Sequence, residues 1–381
     1  MSRSALTVVG AAGAAAALAA GIALALTGGG AGRPGAAALA DRFPAVPPPQ
    51  TLRVVSVSPP DGSAGVNGTG PLTVTFSAPL AAGSPMPRLS PAIPGTWRHA
   101  GDAAVFTPAT GFVAGTRVRV TVPGGDTGVR SAAGTVLPAG TGTAFATGRY
   151  SLLRLQQILA QLGYLPLSWA PVLGATITPG DAAAQLAAAY APPQGAFAWR
   201  WSGYPRSMYS LWRRGSANVL DSGAITAFEA DHGLQPDGVA GPALWAALLR
   251  AAAAGDGDRN AYSYAITSEA APETLAIWRD GHEVFSSLAN TGIPDSPTPL
   301  GTFPVYEKLP FQIMRGTNPD GSSYADPVQW VSYFEGGAAV HYFPRGSYGW
   351  RQSLGCVELP YGPAEEAYRY LPYGTLVHVI P

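Results

Sequence analysis

The chain has 381 residues, with 23 Lys and Arg balanced by 23 Asp and Glu, so its formal net charge is zero. Only 12% of the residues are charged, against roughly 25% in an average soluble protein, and no basic run supplies the electrostatic footprint of a nucleic-acid partner. The length suits roughly two to four domains with cores of their own, and 48 Gly and 37 Pro make the chain rich in loops.

From Ala5 to Leu26 the sequence carries neither charge nor proline. As a helix this run would extend about 33 Å, enough to cross a bilayer core of about 30 Å. The small residues Ala37, Ala38 and Ala40 before Asp41 also offer a signal-peptidase site. An uncleaved membrane anchor and a cleaved signal peptide both remain open, and either places the remainder outside the cytoplasm, in the cell envelope. Thr27 to Gln50 lacks apolar periodicity and reads as a flexible, then proline-stiffened stalk, so residues 1–50 form a leader and linker.

Residues 51–148 alternate with period two. Val54, Val55 and Val57 precede a Pro60-Asp61-Gly62 turn, and Leu72 to Ser77 and Thr116 to Val122 alternate apolar with polar positions between further turns. The pattern predicts a β-sandwich of about 100 residues. It resembles the bacterial Ig-like domains of cell-surface proteins, contains no catalytic constellation, and reads as a spacer.

The period changes over 149–256. Leu152, Leu155, Ile158, Leu159 and Leu162 predict an amphipathic helix ending at Gly163. A second helix carries Ile225, Phe228 and Glu229 up to the breaker His232-Gly233, and a third begins at Gly241-Pro242 and contains Trp245. "LGYLP" and "AFEADHGLQPDGVAGPALWAALL" resemble the small, three-helix peptidoglycan-binding domain family, interrupted by an aromatic insertion over about 167–218. The resemblance implies attachment to cell wall. Exposed Trp and Tyr of the insertion could stack on sugar faces, or the insertion could pack against a neighbouring domain; Phe228 and Trp245 read as core in either case.

Residues 257–381 return to short alternating segments, with one helix-like stretch at "PAEEAYRYL", and predict a mostly β domain. Here lies the only cysteine of the chain, Cys356. A lone thiol in an oxidising compartment has no intramolecular partner, so it is either a buried apolar residue or required for chemistry. A thiol attacks a carbonyl as thiolate and needs a base and an oxyanion donor. His341, in "AAVHYF", reads as the end of a strand that meets the "SLGC" turn across one hairpin-like excursion. Gly355 would let the N–H groups of Gly355 and Cys356 point at one oxygen. His99, His232, His282 and His378 show no metal-ligand spacing, so no metal or cofactor is expected.

Thr291 to Phe303, Trp330 to His341, "SLGCVEL" and "PYGTLVHVIP" resemble the L,D-transpeptidase (YkuD-type) catalytic domain. The resemblance implies Cys356 as nucleophile, His341 as general base, the Tyr342 carbonyl as the group orienting that base, and Gly355 as the turn glycine of the oxyanion hole. Ser353 matches the Ser or Thr that opens the motif and, with Tyr333 and Trp350, is a candidate substrate contact; the two aromatics read equally as packing. Three departures stand out. Leu354 replaces the motif's second His, Glu358 replaces its usual Arg, and the gap from His341 to Ser353 is short. The implied activity is a cysteine acyl-enzyme that takes one peptidoglycan stem peptide as donor and a second as acceptor, forming 3→3 cross-links, with carbapenem acylation of Cys356 as a corollary. Resolution of the same acyl-enzyme by water would make an L,D-carboxypeptidase, and an inactive peptidoglycan-binding protein is the third reading.

Overall fold

The computed structural model describes residues 51–178 and 180–381. The anchor or signal segment and stalk expected over 1–50 lie outside the described residues. Among the described residues no helix is long and apolar enough to cross a membrane.

Seven strands open the structure: β1 (Val54–Ser58), β2 (Leu72–Phe76), β3 (Arg88–Ser90), β4 (Gly95–Ala100), β5 (Ala103–Pro108), β6 (Arg117–Val122) and β7 (Thr141–Ala146). They form two sheets, ordered β1-β2-β5-β4 and β3-β6-β7. In β6 the alternation is strict: Arg117, Arg119 and Thr121 face out while Val118, Val120 and Val122 are buried. These valines close a core with Leu72, Val74, Phe76, Phe106, Phe112 and Phe145 from the other strands and loops, the interdigitated arrangement of two facing sheets.

The helical part begins with α1 (Leu152–Gln161), which buries Leu155, Ile158 and Leu159 and turns at Gly163 with φ +88°. Next come β8 (Leu167–Pro171), α2 (Ala182–Tyr190), β9 (Gly195–Trp199), α3 (Arg206–Tyr209), α4 (Val219–Asp231) and α5 (Pro242–Ala254). Asn218 and Asp221 form a reciprocal capping box that starts α4. Pro242 opens α5 and Gly255, in the left-handed region, closes it. Phe228 and Trp245 sit in the shared core of these helices. The insertion is a β8–β9 hairpin with α2 between its strands, followed by α3.

Part of that insertion packs on the last domain. The Tyr204 hydroxyl donates to the Tyr262 carbonyl at 2.9 Å, the Ser207 and Tyr264 hydroxyls lie 3.0 Å apart, and the Tyr204 ring meets Tyr262 and Tyr264 edge-on. α4 approaches the C-terminal segment closely, since a Cβ on Gly223 would fall 2.6 Å from the Gly374 carbonyl oxygen.

The last domain contains β10 (Ser263–Ser268), β11 (Thr274–Arg279), β12 (His282–Leu288), β13 (Gly301–Pro304), β14 (Glu307–Thr317), β15 (Ser323–Glu335), β16 (Ala338–Tyr342), β17 (Val357–Leu359), α6 (Tyr361–Tyr370) and β18 (Leu376–Ile380). One sheet runs β12-β11-β10-β18-β13 and the other β14-β15-β16-β17. Their common core joins Ala265, Leu275 and Ile277 to Val340, Val357 and Leu359, with Ala364, Ala367 and Leu371 from α6 and its end. β14 and β15 form a long hairpin whose turn contains Asn318-Pro319-Asp320-Gly321.

One expectation needs correction here. β16 and β17 pair in parallel, not as a hairpin. The 343–356 connection therefore crosses over, and it is longer than the dozen or so residues a parallel crossover requires.

Candidate active site

The period-two geometry of β16 and β17 divides their side chains between two environments. Ala338, Val340, Tyr342, Val357 and Leu359 turn into the main core. On the opposite face, Ala339 joins Val328, Val331 and Tyr333 in a smaller cluster, against which Phe343 and Cys356 pack. His341 and Glu358 are register partners across the parallel pair, so their side chains stand side by side on this second face. Cys356 precedes Glu358 by two residues and shares it. These residues border a cavity of about 670 Å³, walled by the β14–β15 hairpin, Pro297 and Pro299, and the 343–356 connection. Cys356, His341, Gly355 and Tyr333 all line it.

His341 is buried, at 3% exposure. Its Nδ1 lies 2.9 Å from the Tyr342 carbonyl oxygen. A carbonyl only accepts, so Nδ1 carries the proton and Nε2 holds the free lone pair. Burial lowers the proton affinity of the imidazole, partly opposed by the Tyr342 carbonyl and by the charge of Glu358. His341 is thus held as the neutral base. Cys356 is partly exposed, and its Sγ lies 3.8 Å from the Gly337 carbonyl oxygen. Burial, with Glu358 adding and the Ala339 backbone opposing, pushes the thiol up to about 11. At rest the cavity therefore holds a neutral thiol and a neutral imidazole, and a thiolate forms only by proton transfer.

The turn before β17 departs from the roles expected of it. Ser353 is fully buried; its hydroxyl donates to the Cys356 carbonyl at 2.6 Å and accepts from the Gly355 N–H at 3.2 Å. It braces the turn and does not face the cavity as a substrate contact. The Gly355 N–H, expected in an oxyanion hole, is committed to that hydroxyl. Among the described residues no protein acceptor takes the N–H groups of Leu354 or Cys356, which leaves these two as the available donors. Gly355 itself has φ +105°, a conformation that a Cβ strains. Trp350 is 50% exposed and lies outside the cavity lining. Tyr333 packs in the smaller cluster, and its hydroxyl donates to Gln312 Oε1 at 2.7 Å in the cavity wall.

The charge inversion at Glu358 is compensated in space. Arg345, from the crossover connection, donates from Nε to Glu358 Oε2 at 2.7 Å and from Nη2 to Oε1 at 2.6 Å, a bidentate pair. The same Nη2 reaches the Gln352 carbonyl at 2.9 Å, and both members line the cavity. Sequence reasoning did not find Arg345, because its partner lies across the crossover. Nor did it find Gln312, Met314, Arg315, Tyr324 and Asp326 of the hairpin, which also line the cavity. The hairpin had a readable signal in its Asn-Pro-Asp-Gly turn flanked by alternating segments.

Residues 263–379 match the family model of the L,D-transpeptidase catalytic domain, YkuD, and residues 48–147 that of a bacterial Ig-like domain. No curated protein matches the chain. Among solved structures, an L,D-transpeptidase from Mycobacterium smegmatis is 16% identical, with 87% of this chain and 100% of that chain covered and a TM-score of 0.30. L,D-transpeptidase 3 from Mycobacterium tuberculosis, in complex with a faropenem-derived adduct, is 17% identical over 86% of this chain and 98% of that chain, with a TM-score of 0.30. The catalytic domain of the E. faecium L,D-transpeptidase is 25% identical over 32% of this chain and 100% of that chain, with a TM-score of 0.29. The segment that carries Cys356 and His341 is thus similar to L,D-transpeptidase catalytic domains, and the first sandwich to bacterial Ig-like domains.

Proposed function

We propose that the chain is a cell-envelope L,D-transpeptidase that joins peptidoglycan stem peptides through a Cys356 thioester. The observation that carries this reading is the placement of His341 on β16 and of Cys356 immediately before the adjacent parallel β17, at one cavity, within the segment similar to L,D-transpeptidase catalytic domains. Cys356 Sγ attacks the carbonyl between the third and fourth residues of a donor stem while His341 Nε2 takes the thiol proton. The N–H groups of Leu354 and Cys356 receive the oxyanion. The C–N bond then breaks, and the departing D-alanine amine takes the proton back from His341. An amine of the acceptor stem attacks the thioester, gives its proton to His341, and releases the Cys356 thiol with a 3→3 cross-link formed. The Ig-like domain spaces this site from the N-terminal segment, which anchors or exports the chain, and the helical part adds contact with the wall.

The test is intact-protein mass after incubation with a carbapenem, for wild type, Cys356→Ala and His341→Ala, followed by tetrapeptide stems with and without an acceptor amine. The proposal expects one adduct on wild type, none on Cys356→Ala, a rate at least about 100-fold lower on His341→Ala, and cross-linked product from the stems. Absence of any adduct on folded wild type refutes the transpeptidase reading. Hydrolysis alone, with acceptor present, refutes the transferase in favour of a carboxypeptidase.

A further inference from the structure

We infer that Arg345 and Glu358 form a positioning pair for the Cys356–His341 couple, in which Glu358 is the charge beside the imidazole and thiol and Arg345 the counter-charge that limits it. The inference deepens the proposed function and rests on that site, though its test does not depend on the substrate.

The geometry comes first. Strand register places Glu358 directly beside His341, and alternation along β17 places it on the face of Cys356. Its carboxylate is almost wholly enclosed, at 4% exposure. A carboxylate so placed, left alone, would hold a proton on the imidazole and oppose thiolate formation. Arg345 covers both of its oxygens, and Asn290 Nδ2 adds a longer contact at 3.4 Å. The guanidinium is in turn fixed by the Gln352 carbonyl and lies over the Phe343 ring at 4.6 Å. The pair therefore pins the crossover connection to β17 directly behind the nucleophile, and the sum of its charges at the site is zero.

Other groups facing the couple do not replace it. From β15 come Asp326, whose charge acts on both His341 and Arg345, and Tyr324 and Tyr333, whose phenols burial holds neutral. Arg315 from β14 and Glu335 at the end of β15 line the same cavity. Neither Arg315 nor Glu335 is bonded to His341, Cys356 or Glu358. Tyr348 hydrogen-bonds the Phe343 carbonyl at 2.7 Å and stays within the connection. Burial first and then Glu358 push the thiol upward, and at the imidazole Glu358 and Arg345 act in opposite senses.

Because Cys356 is the only cysteine, the rate of its alkylation by iodoacetamide, read by intact mass from pH 6 to pH 10, follows thiolate formation without any substrate. Four variants of the full chain are compared with wild type: Glu358→Gln, Arg345→Gln, the neutral double variant Arg345→Gln/Glu358→Gln, and the exchanged pair Arg345→Glu/Glu358→Arg. At pH 8 the expected alkylation is about tenfold faster for Glu358→Gln and about tenfold slower for Arg345→Gln, with the double variant near wild type. The exchanged pair keeps an ion pair while placing the positive charge beside the thiol, and is expected to be about tenfold faster. A purely structural latch would move both single variants in the same direction, in step with lost melting temperature, and that result overturns the inference. If the single variants do not fold, the exchanged and neutral double variants decide: wild-type alkylation rates in both overturn it. Wild type that alkylates as expected yet takes no carbapenem would count against the transpeptidase reading alone.

Discussion

Replacing Ser353 by Ala isolates the brace beneath the nucleophile. The Ser353 hydroxyl makes two hydrogen bonds in a fully buried turn, donating to the Cys356 carbonyl at 2.6 Å and accepting from Gly355 at 3.2 Å. Each such bond contributes about 1 kcal/mol net, and a buried N–H left without an acceptor costs a further 1–3 kcal/mol or so. Thr298 Oγ1, 3.5 Å from the Cys356 carbonyl, recovers little of this. The expected destabilisation is about 3–5 kcal/mol, or roughly 10 °C in melting temperature. Loss of the brace also loosens the position of Cys356 and of the oxyanion donors, and a misplacement of about 1 Å costs about 100-fold in rate. Melting by circular dichroism and carbapenem acylation by intact mass, each for Ser353→Ala and Ser353→Thr, provide the assay. Thr keeps the hydroxyl and should retain most of both properties. A Ser353→Ala protein that melts within about 1 °C of wild type and acylates at the wild-type rate refutes the reasoning.

Trp350→Ala removes a half-exposed ring outside the cavity, so acylation should stay within about twofold of wild type; a loss above tenfold would restore it as a substrate contact. Gly223→Val forces side-chain atoms against the Gly374 carbonyl and should cost about 2–3 kcal/mol, seen as a lower melting temperature for the helical and last domains together. An unchanged melt would show that α4 does not rest on the C-terminal segment in solution. Glu229 is buried, accepts from the Gly238 N–H at 2.8 Å, and is raised by burial to about 7. Because the folded state binds its proton more tightly than the unfolded state, this group favours folding at low pH and loses that contribution as pH rises to about 7. Glu229→Gln should therefore stabilise the protein at pH 8 by on the order of 2 kcal/mol relative to wild type, and the gain should vanish below about pH 4. Equal effects at both pH values would contradict the assignment.

What could be read from the sequence was what periodicity and turn chemistry encode locally. Val118, Val120 and Val122 alternate in the string as they do in β6, and Leu155, Ile158 and Leu159 mark the buried face of α1. Cys356 and His341 stood out by chemistry, and the structure brings both to one cavity. The direction of strand pairing was not legible, because a parallel and an antiparallel return of "CVEL" to "AAVHYF" bury the same alternating residues. The Arg345–Glu358 pair was equally hidden, since nothing in local patterning says which cation will meet a carboxylate across a crossover. The Ser353 brace follows from the φ +105° turn at Gly355, a backbone detail that side-chain type alone does not specify.

The parallel pairing of β16 and β17 has a consequence for how this site can vary. In a hairpin, the turn length fixes which residues face each other, so each insertion threatens the register. Here the register of His341 with Glu358, and so the reach to Cys356, is held by the ladder and by the valines and leucine behind it. Apart from Arg345 and the turn that carries Ser353, the connection between them can change in length at little cost, since doubling the length of a flexible loop costs only about 0.6 kcal/mol. A short span between His341 and Ser353 is then one permitted length among many, and mutation can reshape the rim that meets the substrate while base and nucleophile keep their spacing.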